Sequence, residues 1–194
     1  MKALSIVLGV LGVLILCVLL VFGSYIGARN QMVTLSTAVD NAFSEVDVQM
    51  QRRADLIPNL VATVKGYAKQ EATVLDEIAR ARSGLLQAQS PDEKIAANQR
   101  LDVALLPLMR LQETYPELKS NEQFMRLEDE LSGTENRIGI ARKRYNDAVS
   151  TYNVYIGQFP NSIWAGIGSP AYTAKKFFEA TPEGRETPKV DFSK

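Results

Sequence analysis

Apolar residues are laid out in two patterns along this chain. Residues 3–28 carry no Lys, Arg, Asp or Glu, and the heart of that run reads LSIVLGVLGVLILCVLLVF. A helix rising ~1.5 Å per residue needs about 20 apolar residues to cross ~30 Å of hydrocarbon. Such a helix also pairs every backbone amide internally, as lipid requires. The apolar core of a cleaved signal peptide spans only about 7–15 residues and ends at a small-residue cleavage site. This run is longer, and Gly23-Ser24-Tyr25 is a poor cleavage site, so a retained membrane anchor is expected.

Beyond residue 28 the apolar positions recur at helical spacing. Met32, Leu35, Val39, Ala42 and Val46 alternate steps of three and four, with Phe43 and Met50 widening the stripe. That is one face of a helix, not the alternation of a strand. Pro58, with Asp55 as N-cap, predicts a turn or kink into a second helix. Its seam runs Leu60, Val64, Tyr67, Glu71, Val74, Ile78, Ala81 and Leu85. Ser90-Pro91-Asp92-Glu93 predicts a capping box opening a third helix, with Pro at the first helical position.

The third helix has Ile95, Leu101, Leu105, Leu108 and Leu111 on one face. Pro107 is expected to kink or split it, and Tyr115-Pro116 to end it. A second capping box is predicted at Ser120-Asn121-Glu122-Gln123. The fourth helix then carries Phe124, Leu127, Leu131, Thr134, Ile138, Ala141, Tyr145, Ala148, Tyr152, Tyr155 and Phe159 at near-heptad spacing. Ser132-Gly133-Thr134-Glu135 offers a restart, but the register does not slip there, so a continuous helix is expected.

After Pro160 the periodicity fails. Residues 160–170 are rich in Gly, Pro and small side chains around Trp164, followed by a short amphipathic piece over 172–179 and an extended tail. The expected fold is therefore all-α. An N-terminal transmembrane anchor (1–28) continues into an antiparallel long-helix bundle of four-helix type (29–160), and an irregular C-terminal segment and tail (161–194) follow.

Charge and composition narrow the chemistry. Lys plus Arg and Asp plus Glu balance at 22 each, without the basic footprint of a nucleic-acid binder. Histidine is absent, which removes the commonest general base and transition-metal ligand together. The single cysteine, Cys17, lies in the apolar run, so the chain forms no internal disulfide. Lys2 and the amino terminus precede the span and Arg29 follows it. By a margin of one charge this favours an inside amino terminus and an outside bundle. Gly23 and Gly27 have small-xxx-small spacing, which in a membrane helix is either a close-approach face or tolerated filler.

Candidate sites are few. Glu71 is the one acid on a hydrophobic seam. A carboxylate-only metal site with Glu135 is conceivable, but an ion pair with Arg137 or Arg142, or a carboxylate reaching the bundle edge, is the expected arrangement. The cluster Gln51-Arg52-Arg53-Ala54-Asp55 suggests anion binding. Cations in a last helical turn and an Asp55 cap account for it more simply. Arg142-Lys143-Arg144 is expected to be a solvated helix face. No catalytic, cofactor-binding or metal-binding residue is assigned, and no cofactor, nucleic acid or small-molecule substrate is inferred.

Four stretches carry a family resemblance. VDVQMQRRADLIPNLVATVKGYAKQE (46–71), TYPELKSNEQFMRLEDELSGTENRI (114–138), ARKRYNDAVSTYNVYIGQFP (141–160) and the closing FFEA with PKVDF (177–180 and 188–192) resemble the LemA family in sequence and order. The match covers nearly everything after the span, departing from the usual pattern around Pro107 and Trp164. The resemblance implies a bacterial membrane protein with an amino-terminal anchor and an antiparallel helical bundle. It supplies no established reaction, and one branch of the family is associated with building or shaping internal membranes.

Three functions follow as expectations. The first is a single-pass scaffold or interaction protein of the bacterial inner membrane, with the bilayer and other protein chains, including further copies of itself, as partners. The second is a self-assembling organiser or remodeller of the bilayer. An enzyme ranks behind both, for want of a site. Trp164 is expected either at the headgroup interface or capping the bundle core.

Overall fold

A computed structural model describes residues 2–167 and 171–178. The tail from 179, with the PKVDF stretch, lies outside the described residues. Helices account for nearly all of the described chain, and no strand occurs in it. α1 spans Lys2–Tyr67, α2 Ala72–Gln87, α3 Pro91–Thr114, α4 Pro116–Lys119, α5 Glu122–Gly157 and α6 Asn161–Gly166, with a 3₁₀ turn at Lys69–Glu71 between α1 and α2. The fold is all-α, as the periodicity predicts.

The first part of α1 is apolar and bare. Its large apolar side chains from Ile6 to Phe22 are each between 52% and 66% exposed. It is the one described helix long and apolar enough to cross a membrane. From Ala28 onward the helix has a buried stripe through Met32, Val39, Val46, Met50, Ala54, Ile57, Leu60 and Val64.

The turn expected at Pro58 does not occur; α1 runs through it to Tyr67. Ile57 and Leu60, on either side of the proline, are both 1% exposed, and this packing outweighs one missing backbone bond. Leu60 and Val64 therefore belong to α1, and Asp55 is an interior residue accepting from Gln51 Nε2 at 3.0 Å. The chain reverses at Ala68 instead.

Two compact units divide the chain: Met1–Asn41 with Asp147–Lys175, and Ala42–Asn146 with, among the described residues, 176–178. In the larger unit the helices alternate in direction. Glu45 pairs with Arg144, Arg53 with Glu135, and Tyr67 with Asn121, so α5 runs antiparallel to α1. Asp47 pairs with Lys94 and Arg53 with Asp102, so α3 runs parallel to α1. That is the alternation of a four-helix bundle.

α3 opens with the predicted capping box, Ser90 accepting from Glu93 N and the Glu93 side chain from Ser90 N. It continues unsplit through Pro107 and ends at Tyr115. At the start of α5 the cap is Asn121, one residue later than expected: its Oδ1 accepts from Phe124 N at 2.9 Å, while Ser120 Oγ donates to Glu117 O. α5 is continuous over 36 residues. Buried Thr134 bonds back to the carbonyls of Glu130 and Leu131, so it sits in the core without an orphaned hydroxyl.

The α5 seam departs from the heptad near its end. Phe124, Leu127, Thr134, Ile138, Ala141 and Tyr145 are buried, but the seam then takes Val149, Tyr152 and Ile156 in place of Ala148 and Tyr155. A straight helix drifts about 20° per heptad, and one extra four-residue step absorbs the drift. Phe159, expected inward, lies past the end of α5 and is 81% exposed. The segment after Pro160, expected irregular, begins with the six-residue α6, and residues 171–178 are non-helical.

Candidate functional site

Four charged side chains meet inside the larger unit. Arg53 of α1 is 6% exposed and contacts both Asp102 of α3 and Glu135 of α5, the latter at 2.8 Å. Arg142 of α5 reaches Asp102 Oδ2 at 3.4 Å, and buried Asn98 donates to the same oxygen at 3.1 Å. Two cations face two carboxylates, so the cluster is neutral. Arg53 Nε and Arg142 Nε have no hydrogen-bond partner. The network joins three helices, α1, α3 and α5.

Arg53 is thus neither an anion-binding residue nor a complement to a helix end, because α1 does not end there. Arg142 is likewise not on a solvated face. Its guanidinium also lies 5.4 Å from the Phe178 ring centre, within a cluster of Phe43, Tyr145 and Phe178. Arg144, by contrast, is exposed beside Glu45.

Glu71 stands apart from this network. It closes the 3₁₀ turn, half-buried, and accepts from the Tyr115 hydroxyl at 3.4 Å. Burial, and then the Glu71 charge, raise the Tyr115 phenol above its ordinary 10.0. The anticipated partners are elsewhere: Arg137 is exposed near Gly133, and Arg142 and Glu135 belong to the Arg53 cluster. The Glu71–Glu135 pairing considered for a metal is not made, and among the described residues no group of three or more Cys, Asp or Glu converges. A groove of about 1060 Å³ runs between α2 and α3, lined by small residues such as Ala81, Gly84 and Ala97.

A pair of side-chain clamps escaped the sequence reading. In the larger unit Asn146 accepts from Phe178 N and donates to Phe178 O, at 2.9 and 3.0 Å, and Tyr145 donates to Lys176 O at 3.0 Å. In the smaller unit Asn153 makes the same two bonds with Lys175, at 2.9 and 2.8 Å, and Tyr152 donates to Thr173 O at 3.1 Å. The signal was present as Tyr-Asn at 145–146 repeated seven residues later at 152–153. Each asparagine amide satisfies both polar groups of one backbone residue, as a neighbouring strand would.

The smaller unit also holds Trp164. Its ring meets Tyr25 edge-on at 5.6 Å. Arg29 donates to Ile167 O at 3.3 Å and lies 4.7 Å from the Tyr172 ring centre. The segment after α5 is thereby fastened beside the end of the apolar run. At Gly23 and Gly27 an added Cβ would meet nothing within 4 Å.

These features define a class: an all-helical, membrane-associated protein whose candidate span continues into core-forming helix. The chain belongs to the LemA family, whose model matches residues 42–192. It is similar to magnetosome protein MamQ 2 of Paramagnetospirillum magneticum, 26% identical over 82% of this chain and 67% of that protein. A magnetosome protein MamQ of Magnetospirillum gryphiswaldense is 25% identical over the same shares. Protein LemA of Metamycoplasma hominis is 24% identical over 70% of this chain and 62% of its own length.

Proposed function

We propose that this chain is a non-enzymatic, single-pass scaffold or interaction protein of the bacterial inner membrane, which holds a helical module at the bilayer for other protein chains. One observation carries the proposal: α1 supplies both the bare apolar run at Ile6–Phe22 and the buried stripe from Ala28 to Val64. With no break between anchor and core helix, whatever binds the module is held at the membrane. The polar cluster Arg53–Asp102–Glu135–Arg142 is neutral and linked helix to helix, which suits a structural role. In-membrane cross-linking from exposed positions on α5, followed by mass spectrometry of native membranes, tests the reading. Reproducible capture of a defined partner chain or of a second copy supports it, whereas a purified protein that turns over a substrate or binds stoichiometric metal overturns it.

A second reading, self-assembly that orders or remodels the bilayer, draws on the similarity to proteins named for the magnetosome. Oligomer size in mild detergent, with imaging of liposomes that contain the protein, separates the two. Large oligomers and reshaped liposomes favour the organiser; small species and unaltered liposomes favour the scaffold.

A further inference from the structure

An uncharged apolar patch lies beside the end of the candidate span. Between Asp147 and Lys175 the sequence contains no Lys, Arg, Asp or Glu. Within that interval Phe159 is 81% exposed, Ile163 49% and Ile167 48%. Three large apolar side chains around one six-residue helix would be an unfavourable surface in water. α6 is also held in place: Trp164 packs on Tyr25 and Arg29 binds the carbonyl of Ile167.

The level of Tyr25 follows from helix geometry. The bare apolar run Ile6–Phe22 is centred on Leu14. Tyr25 lies eleven residues further along, about 16 Å at 1.5 Å per residue. Half of a hydrocarbon layer is about 15 Å, which puts Tyr25 at the boundary between acyl chains and headgroups. Trp164, touching Tyr25, shares that level. Tyr and Trp are the residues enriched at that level; the Trp164 Nε1 itself is buried without a hydrogen-bond partner, so the exposed side chains of the patch are Phe159, Ile163 and Ile167.

We propose that α6, with Phe159, Ile163 and Ile167, is a second membrane contact, seated in the headgroup layer of the bilayer that α1 crosses. It rests on the reading of α1 as a membrane span. The occupant of the patch is lipid because the patch is continuous with the lipid-facing run through the Trp164–Tyr25 contact. The contact makes the return of the chain after α5 a second foothold on the bilayer.

The test uses the only tryptophan and the only cysteine of the full chain. Protein labelled on Cys17 with an environment-sensitive fluorophore is reconstituted into phosphatidylcholine vesicles carrying nitroxide either at the headgroup or deep in the acyl chain. Trp164 emission should be lost more to the headgroup nitroxide, and Cys17 label emission more to the deep one. A Phe159→Trp/Trp164→Phe variant should be quenched by headgroup nitroxide more strongly than the parent, since position 159 is the more exposed. Quenching at Cys17 with none at positions 164 and 159 overturns the second contact and leaves the span standing. That same outcome is expected if another protein chain covers the patch. Absence of quenching at Cys17 overturns the span reading, and the second contact falls with it.

Discussion

Arg82 donates from Nε to the carbonyl of Ala54 at 2.6 Å, and that carbonyl is the acceptor Pro58 leaves without its helical partner. A proline inside a helix removes one bond to the residue four positions back and crowds that carbonyl. Here a side chain from α2 replaces the lost donor, so α1 continues for nine residues past Pro58 to Tyr67. Arg82→Met should cost about 1–3 kcal/mol by orphaning a buried acceptor. In a Pro58→Ala background the restored N–H reclaims the carbonyl, and the same substitution should cost at least about 0.5 kcal/mol less. Urea unfolding of the detergent-solubilised chain, followed by circular dichroism, measures both. Equal costs in the two backgrounds would show that Arg82 does not stand in for the missing amide.

The charge network makes a different kind of prediction. Asp102 is shared by Arg53, Arg142 and Asn98, so Asp102→Ala takes the carboxylate from Arg142 and leaves Arg53 with Glu135 alone. Removing one partner of a buried pair typically costs about 3–5 kcal/mol. Arg53→Met with Asp102→Leu removes one charge of each sign and leaves Glu135 with Arg142. The double variant should be more stable than Asp102→Ala alone. If the double variant loses the sum of both single losses, the four groups act independently and do not form a unit.

How much of this was legible follows from which residues compete. The long apolar helix, the α1 and α3 stripes, the Ser90 capping box and the stop at Tyr115-Pro116 are local signals, and local signals are what periodicity reports. Continuation through Pro58 was not legible, because its compensating donor lies 28 positions from Ala54. Asn121 and Ser120 are both good N-caps by type, and only backbone geometry separates them. Glu71 fell on an apparent seam because a helical count was carried across a turn. Asn146 and Asn153 looked like ordinary polar positions of α5. Their function is set by the residues they clamp, 32 and 22 positions away.

The α3 capping box carries a pH signature. Backbone N–H groups of Gln89, then Ser90, donate to the Glu93 carboxylate and lower its pKa from the ordinary 4.5. A carboxylate with a depressed folded pKa adds stability above its unfolded value, and that stability is lost as pH falls through the folded one. The difference in Tm between the parent and Glu93→Ala should therefore be constant near neutrality and shrink as pH drops below 4.5. A difference that widens in acid would mean that Glu93 is stabilised in its protonated form. Ser90→Ala, which removes the reciprocal acceptor, should cost about 1 kcal/mol.

The seam of α5 offers the sharpest contrast between what a heptad predicts and what the helix does. A strict heptad continued from Tyr145 places Ala148, Tyr155 and Phe159 inward. The structure instead buries Val149, Tyr152 and Ile156, with Ile156 8% exposed and Phe159 81%. Both patterns share Tyr152, so the distinction rests on Ile156 and Phe159. Ile156→Ala removes packed methylenes and should cost about 2–5 kcal/mol, depending on how far the site collapses. Phe159→Ala removes a larger side chain that touches little, and in detergent should stay within about 0.5 kcal/mol of the parent. Side-chain size alone gives the opposite order, so the comparison isolates burial. Denaturation of the two variants in one detergent decides it: a larger loss for Phe159→Ala would restore the heptad and return Phe159 to the core.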